Sequence, residues 1–198
     1  MVDKTFIANM ALGHIRAVTI ASFDEVSVNA NHVRTFYDIA RQATLENYDW
    51  SFCRKRRSLA LLAEDPPDTW TYRYEYPPNC ITPRYIAYPG VRRPIEPIPF
   101  DMELDDAGTS RTILTDQQSA VLVYTLDVEN PSLFSAGFVD ALSWRLAAYL
   151  AVPCAGRPDD EKRCMGWWQG LTSVAETNDA NAGQADKEPD GEFITARN

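Results

Sequence analysis

Nine of the thirteen prolines fall between Pro66 and Pro99. No helix runs through such a stretch, because each proline removes a backbone donor and drives its ring into the preceding turn. The middle of the chain is therefore expected to be extended or irregular, and its flanks agree. Trp70-Thr71-Tyr72-Arg73-Tyr74-Glu75-Tyr76 alternates aromatic with polar residues, the period of a half-buried strand, and Pro77-Pro78 closes it. Residues 81–99 read as a strand edge or an ordered loop. Phe100 to Leu104 alternates again, Asp105-Asp106-Ala107-Gly108 turns, and Arg111 to Leu114 makes a partner strand. Ala120 to Val128 is β-branched and aromatic through its centre, which makes it the best single strand candidate.

Helical spacing holds on both sides of this region. Phe6, Ile7, Met10, Ala11 and Ile15 share one face behind a capping Asp3, and Gly13 with Val18-Thr19-Ile20 ends that helix. A second helix starts near Ser27 or Asn29 and carries Val33, Phe36, Tyr37, Ala40 and Thr44 through to Leu45. After Tyr48-Asp49-Trp50, the spacing of Phe52, Arg56, Leu59, Ala60 and Ala63 predicts a third helix that Pro66-Pro67 stops. Ser132 is expected to cap the longest helix, striped with Phe134, Phe138, Leu142, Leu146 and Leu150 and ended by Pro153 and Gly156-Arg157-Pro158. A last helix runs from Asp159 to about Thr177 with Cys164, Trp167, Trp168 and Leu171.

From Asn178 to Asn198 the chain is small, polar and mostly acidic, with Phe193 and Ile194 as its hydrophobic pair. So little apolar surface does not offset the entropy of ordering. The expected fold is α+β: mainly a helical bundle of three N-terminal and two C-terminal helices, with a central proline-rich antiparallel β insertion and a flexible C-terminal tail. Residues 1–177 form one domain, with helices over 3–64 and 132–177 and the insertion over 68–130; residues 178–198 form the acidic tail.

A formal charge of -9 argues against a protein whose main work is wrapping nucleic acid. Cys53, Cys80, Cys154 and Cys164 show no C-x-x-C spacing and lie far from His14 and His32, so neither a zinc site nor another cofactor is expected. Met1 to Ile20 does not read as a signal peptide, and the cysteines are expected to be reduced thiols of a protein made in a cytoplasm. No stretch approaches the roughly twenty apolar residues of a spanning helix, so no membrane partner is expected. Phosphate-loop, zinc-protease and nucleophile-elbow motifs are missing, and no enzymatic role is expected. Paired acids such as Asp105-Asp106 and Asp159-Asp160 border turns and helix starts, where carboxylates are favourable anyway.

Two features point to partners. Arg54-Lys55-Arg56-Arg57, set on the expected third helix, fans around it. It forms either a solvated face, an ion-paired contact with an acidic neighbouring subunit, or a surface near passing DNA. Adjacent Trp167 and Trp168 point about 100° apart on a helix, so one of them faces away from the core; Trp168 is the interface candidate with Arg54, Lys55 and Arg57.

Several segments, in order, resemble the head-to-tail adaptor subunits of tailed bacteriophages. Asn9-Met10-Ala11-Leu12 with Ile15 is similar to the family's opening pattern. Tyr37, Ala40, Arg41 and Leu45, then Asp49-Trp50-Ser51-Phe52 and Lys55-Arg56, resemble its second block. Tyr74, Pro77, Pro78, Asn79-Cys80 and Ile81 follow, with Asn79 where the family usually carries an acidic residue. Thr115-Asp116, Val121 to Tyr124, and Phe134, Phe138, Ala141, Leu142, Arg145, Leu146 and Ala147 complete the likeness, which spans Thr5 to Leu150. The resemblance implies a structural ring, typically of twelve copies, joining the portal protein to a tail or nozzle protein. Genomic DNA would pass through its channel without sequence-specific binding, in the neck of a virion assembled in the host cytoplasm. It also implies that the C-terminal segment, with Phe193 and Ile194, reaches the portal. The alternatives are another neck ring such as a stopper or terminator, and a small virion hydrolase.

Overall fold

The computed structural model of the chain describes residues 2–67, 69–90 and 96–182. Asp3 accepts the Phe6 N–H at 2.7 Å and starts helix α1, Lys4–His14. Ser27 accepts the Ala30 N–H and starts α2, Val28–Asn47. Helix α3, Ala136–Ala155, is capped by Ser135. Ser132, the expected cap, lies instead in a single 3-10 turn, Pro131–Leu133, that Asn130 caps. Pro153 does not end α3: the helix carries it inside its last turn and stops at Gly156, whose φ of 64° is a conformation that costs glycine little. Helix α4, Pro158–Ala182, opens on a proline followed by Asp159, Asp160 and Glu161, all favourable at a helix N-terminus. Its backbone runs five residues past Thr177 into the expected tail.

Helix α3 is the centre of the helical layer, with α1, α2 and α4 packed against it. Buried Phe138, Leu142, Leu146 and Leu150 meet Ile7, Leu12, Val33, Tyr37 and Leu45. Trp50 is fully buried at the layer's edge; its indole N–H donates to the Thr44 carbonyl at 3.0 Å, and Tyr48 and Phe138 stand edge-on to it.

The expected third helix does not form. Ser51–Cys53 makes one 3-10 turn, and Arg54–Ser58 is strand β1. It pairs antiparallel with β6, Val121–Leu126, placing Lys55 opposite Tyr124 and Arg57 opposite Leu122. Pairing with a β-branched, aromatic strand overrides the helical spacing. Residues 55, 57 and 59 then share one face, and Leu59 packs into the β core from it. The β region thus begins at Arg54 rather than at residue 68.

The remaining strands are β2, Tyr72–Glu75; β3, Cys80–Ala87; β4, Asp101–Leu104; and β5, Arg111–Thr115. They form two three-stranded antiparallel sheets, ordered β1-β6-β3 and β2-β5-β4. Pro83 lies in β3, an outer strand of its sheet, between two breaks in register, where a missing donor is tolerated. Asn79 just before it has φ 57°, a region few residues besides glycine and asparagine enter readily, and its carbonyl accepts the Asp127 N–H.

The two sheets are joined along both sides. After β1 the chain crosses over: Glu75 N donates to Ala60 O and Leu62 N to Arg73 O, both at 2.9 Å, and Leu61 bridges Tyr74. On the far side Ile98 bridges Ile86 before the chain enters β4. The strands therefore run in a circuit β1-β6-β3-β4-β5-β2, a small barrel filled by Tyr74, Ile86, Ile113, Ala120, Leu122 and Tyr124. The chain is an α+β protein: a helical layer with a β barrel inserted between α2 and α3.

Close packing of α3 on α4 sets one testable limit. A Cβ built on Gly137 would lie 2.8 Å from the Ala175 Cβ, closer than two methyl groups approach. Gly137→Ala should destabilise the protein by about 1–3 kcal/mol despite alanine's better helix propensity. Adding Ala175→Gly should recover part of that loss in urea denaturation.

Candidate functional site

Because β1 is a strand, its four basic side chains alternate between two faces rather than fanning around a helix. Arg54 takes the Asp49 carboxylate through Nε at 3.1 and 3.0 Å and through Nη2 at 3.0 Å. Arg56 reaches the Tyr85 hydroxyl at 3.5 Å. Lys55 and Arg57 are exposed on the opposite face, at the rim of the barrel core beside Tyr124 and Leu122.

Across the barrel, β4 is exposed at every residue. Asp101 and Glu103 share its outer face with Leu114 and Thr112 of β5, while Met102 and Leu104, 48% and 58% exposed, lie on the other. This acidic strand was not singled out as a site from sequence. Its alternation marked a strand, but only the strand order places it at a sheet edge opposite the basic one.

Of the tryptophan pair, Trp168 is buried, with the Arg145 guanidinium 4.3 Å from its ring centroid. It packs α4 onto α3 and offers no surface to a neighbour, so the expectation that it lies at an interface is corrected. Trp167 is the outward residue, 55% exposed. It stacks on Trp144, which stacks on His14 with centroids 3.6 Å apart. Phe193 and Ile194 lie outside the described residues.

His14 Nε2 is 2.9 Å from the Ser143 hydroxyl. Burial pushes the imidazole below its ordinary value; Asp140 opposes that shift and Arg163 adds to it. The four cysteines are free. Burial pushes the Cys80, Cys154 and Cys164 thiols up, so they stay protonated and weakly nucleophilic. Cys80 lies in an open hollow of about 300 Å³ with Glu46, Asn79, Arg111 and Asp127. The neighbouring Tyr76 phenol, pushed up to about 12 chiefly by burial, donates to the Cys80 carbonyl at 3.3 Å. Among the described residues no group of three or more His, Cys, Asp and Glu side chains is placed to hold a metal ion, and no helix is long and apolar enough to cross a membrane.

The chain matches no protein-family model and no curated protein.

The depressed His14 value has a pH consequence. Below its ordinary pKa of 6.5 the unfolded chain takes up a proton that the folded chain resists. The stability this histidine contributes is therefore lost as pH falls through the folded-state value. His14→Gln, which does not titrate, should lose less stability than wild type between about pH 7 and pH 5, read as the shift in urea midpoint.

Proposed function

We propose that this chain is a structural adaptor subunit of a tailed-phage portal vertex. It acts by binding rather than by chemistry, in an oligomeric ring of twelve copies between the portal and the tail or nozzle protein. The helices pack side by side as the ring's bundle around a channel that passes genomic DNA without reading its sequence.

One observation supports the reading most. Residues that carry the resemblance to phage adaptors are scattered from Asn9 to Ala147, and those on the helices and on the segment after α2 pack together in the helical core. Phe138 contacts Trp50, Phe52 and Phe134 with ring centroids 5.3, 5.0 and 4.8 Å apart. Asn9 holds the chain after α1 by accepting the Ile20 N–H at 2.8 Å and donating to its carbonyl at 2.9 Å. Arg41, 2% exposed, ties α2 to the end of the barrel through Asp127 and the Val128 carbonyl.

On this reading residues 183–198, with Phe193 and Ile194, dock on the portal and the helical layer forms the ring wall. Mixing the purified chain with the portal of its phage should give a ring complex of defined mass, visible at one end of the portal by electron microscopy. Absence of a complex with the intact chain would overturn the reading. Removing residues 183–198, which leaves α4 intact, should weaken portal binding at least about tenfold if one apolar anchor pair is lost. Unchanged affinity would remove the tail from the portal contact.

A further inference from the structure

We propose that copies of this chain join head to tail through their barrels, strand β1 of one against strand β4 of the next. This rests on the ring reading above and deepens it by naming a contact between neighbouring copies beside that of the helices.

Position comes first. Strands β1 and β4 are terminal strands of different sheets. In the circuit β1-β6-β3-β4-β5-β2 they stand three places apart in six, on opposite sides of the barrel. A contact between two different, opposed surfaces is heterologous, and such contacts generate rings when the rotation closes. The strands also match in length, at five and four residues.

Charge then selects the pairing. Strand β1 reads Arg54-Lys55-Arg56-Arg57 and β4 reads Asp101-Met102-Glu103-Leu104. Several cations of the fold are held by carboxylates within the chain: Arg41 by Asp38 and Asp127, Arg54 by Asp49, Arg73 by Glu64 and Asp106, Arg163 by Asp160. Among the described residues no ion pair takes Lys55, Arg57, Asp101 or Glu103. A β1–β1 or β4–β4 contact sets like charges across from one another, which is repulsive; β1–β4 sets opposite charges.

The apolar content agrees. An edge strand exposing Met102 and Leu104 is a liability unless something covers it. Met102 and Leu104 offer apolar surface that the aliphatic stems of long basic side chains can cover.

The test is charge reversal on the full chain, followed by sedimentation. Wild type should self-associate with rising concentration, and added salt should weaken the association. Lys55→Glu with Arg57→Glu should weaken it on the order of a hundredfold, as should Asp101→Lys with Glu103→Lys. Both variants should keep the wild-type thermal melt, since all four side chains are exposed. Mixing the two variants should restore assembly, each supplying the charge the other lacks. The fourfold variant should associate with itself but not with wild type. Reversed variants that assemble like wild type, or a mixture that does not recover, would sink the proposal. If association depends on charge in this way yet the chain never engages the portal, the interface stands and the portal-vertex reading falls. If reversed variants form rings on the portal as readily as wild type, the opposite holds. A chain that stays monomeric both alone and with the portal overturns both.

Discussion

Arg84 is the joint between the two halves of this protein. It sits where β3 is irregular, donates from Nε to the Thr125 hydroxyl at 2.8 Å, and turns its Nη2 onto the carbonyls of Leu45, Glu46 and Tyr48 at 3.2, 3.0 and 2.7 Å. Those carbonyls end helix α2, where orphaned acceptors and the negative end of the helix dipole both favour a cation. Helix α2 and strand β3 pack against each other at this point. The guanidinium thus joins the β region to the end of α2, beside the Arg41 contacts to Asp127 and Val128, and Leu126 packs against both cores. A lysine there would hold the charge but lose the fork that spans three acceptors.

A chain with nine excess negative charges uses its arginines as internal pins. Arg41 ties α2 to the loop leaving β6, and Arg73, 4% exposed, ties the stretch after β1 to the β4–β5 turn through Glu64 and Asp106. Each pin joins segments that the backbone alone leaves apart, and each is buried, where a charge persists only with partners. The basic row on β1 is different in kind. Its Arg54 is held by Asp49, whereas Lys55 and Arg57 are exposed, as side chains that meet another molecule would be.

The ends of the fold were legible in the sequence because helices announce themselves locally. Asp3 and Ser27 are capping residues directly before apolar stripes, and both cap as expected. The stripe of α3 was also clear, although its cap moved from Ser132 to Ser135 because Asn130 claims the earlier residues for a separate turn. The segment 52–63 was not legible. Its spacing fits a helix, and what makes it a strand is β6, more than sixty residues away. The candidate surface inherits that difficulty: Arg54, Lys55 and Arg57 were visible as a charge run, but their acidic counterpart on β4 emerges only once six strands are ordered in space. Trp167 and Trp168 show the same limit in small, since periodicity says that one tryptophan faces outward without saying which.

The stretch from Arg54 to Leu62 belongs to both sheets, hydrogen-bonded first to β6 and then to β2. Neither sheet can peel away while that stretch stays in place, and lifting it uncovers both inner walls together. The barrel therefore has one opening event where two stacked, unlinked sheets would have two. On the other side, among the described residues, the bridge between Ile86 and Ile98 joins the two walls.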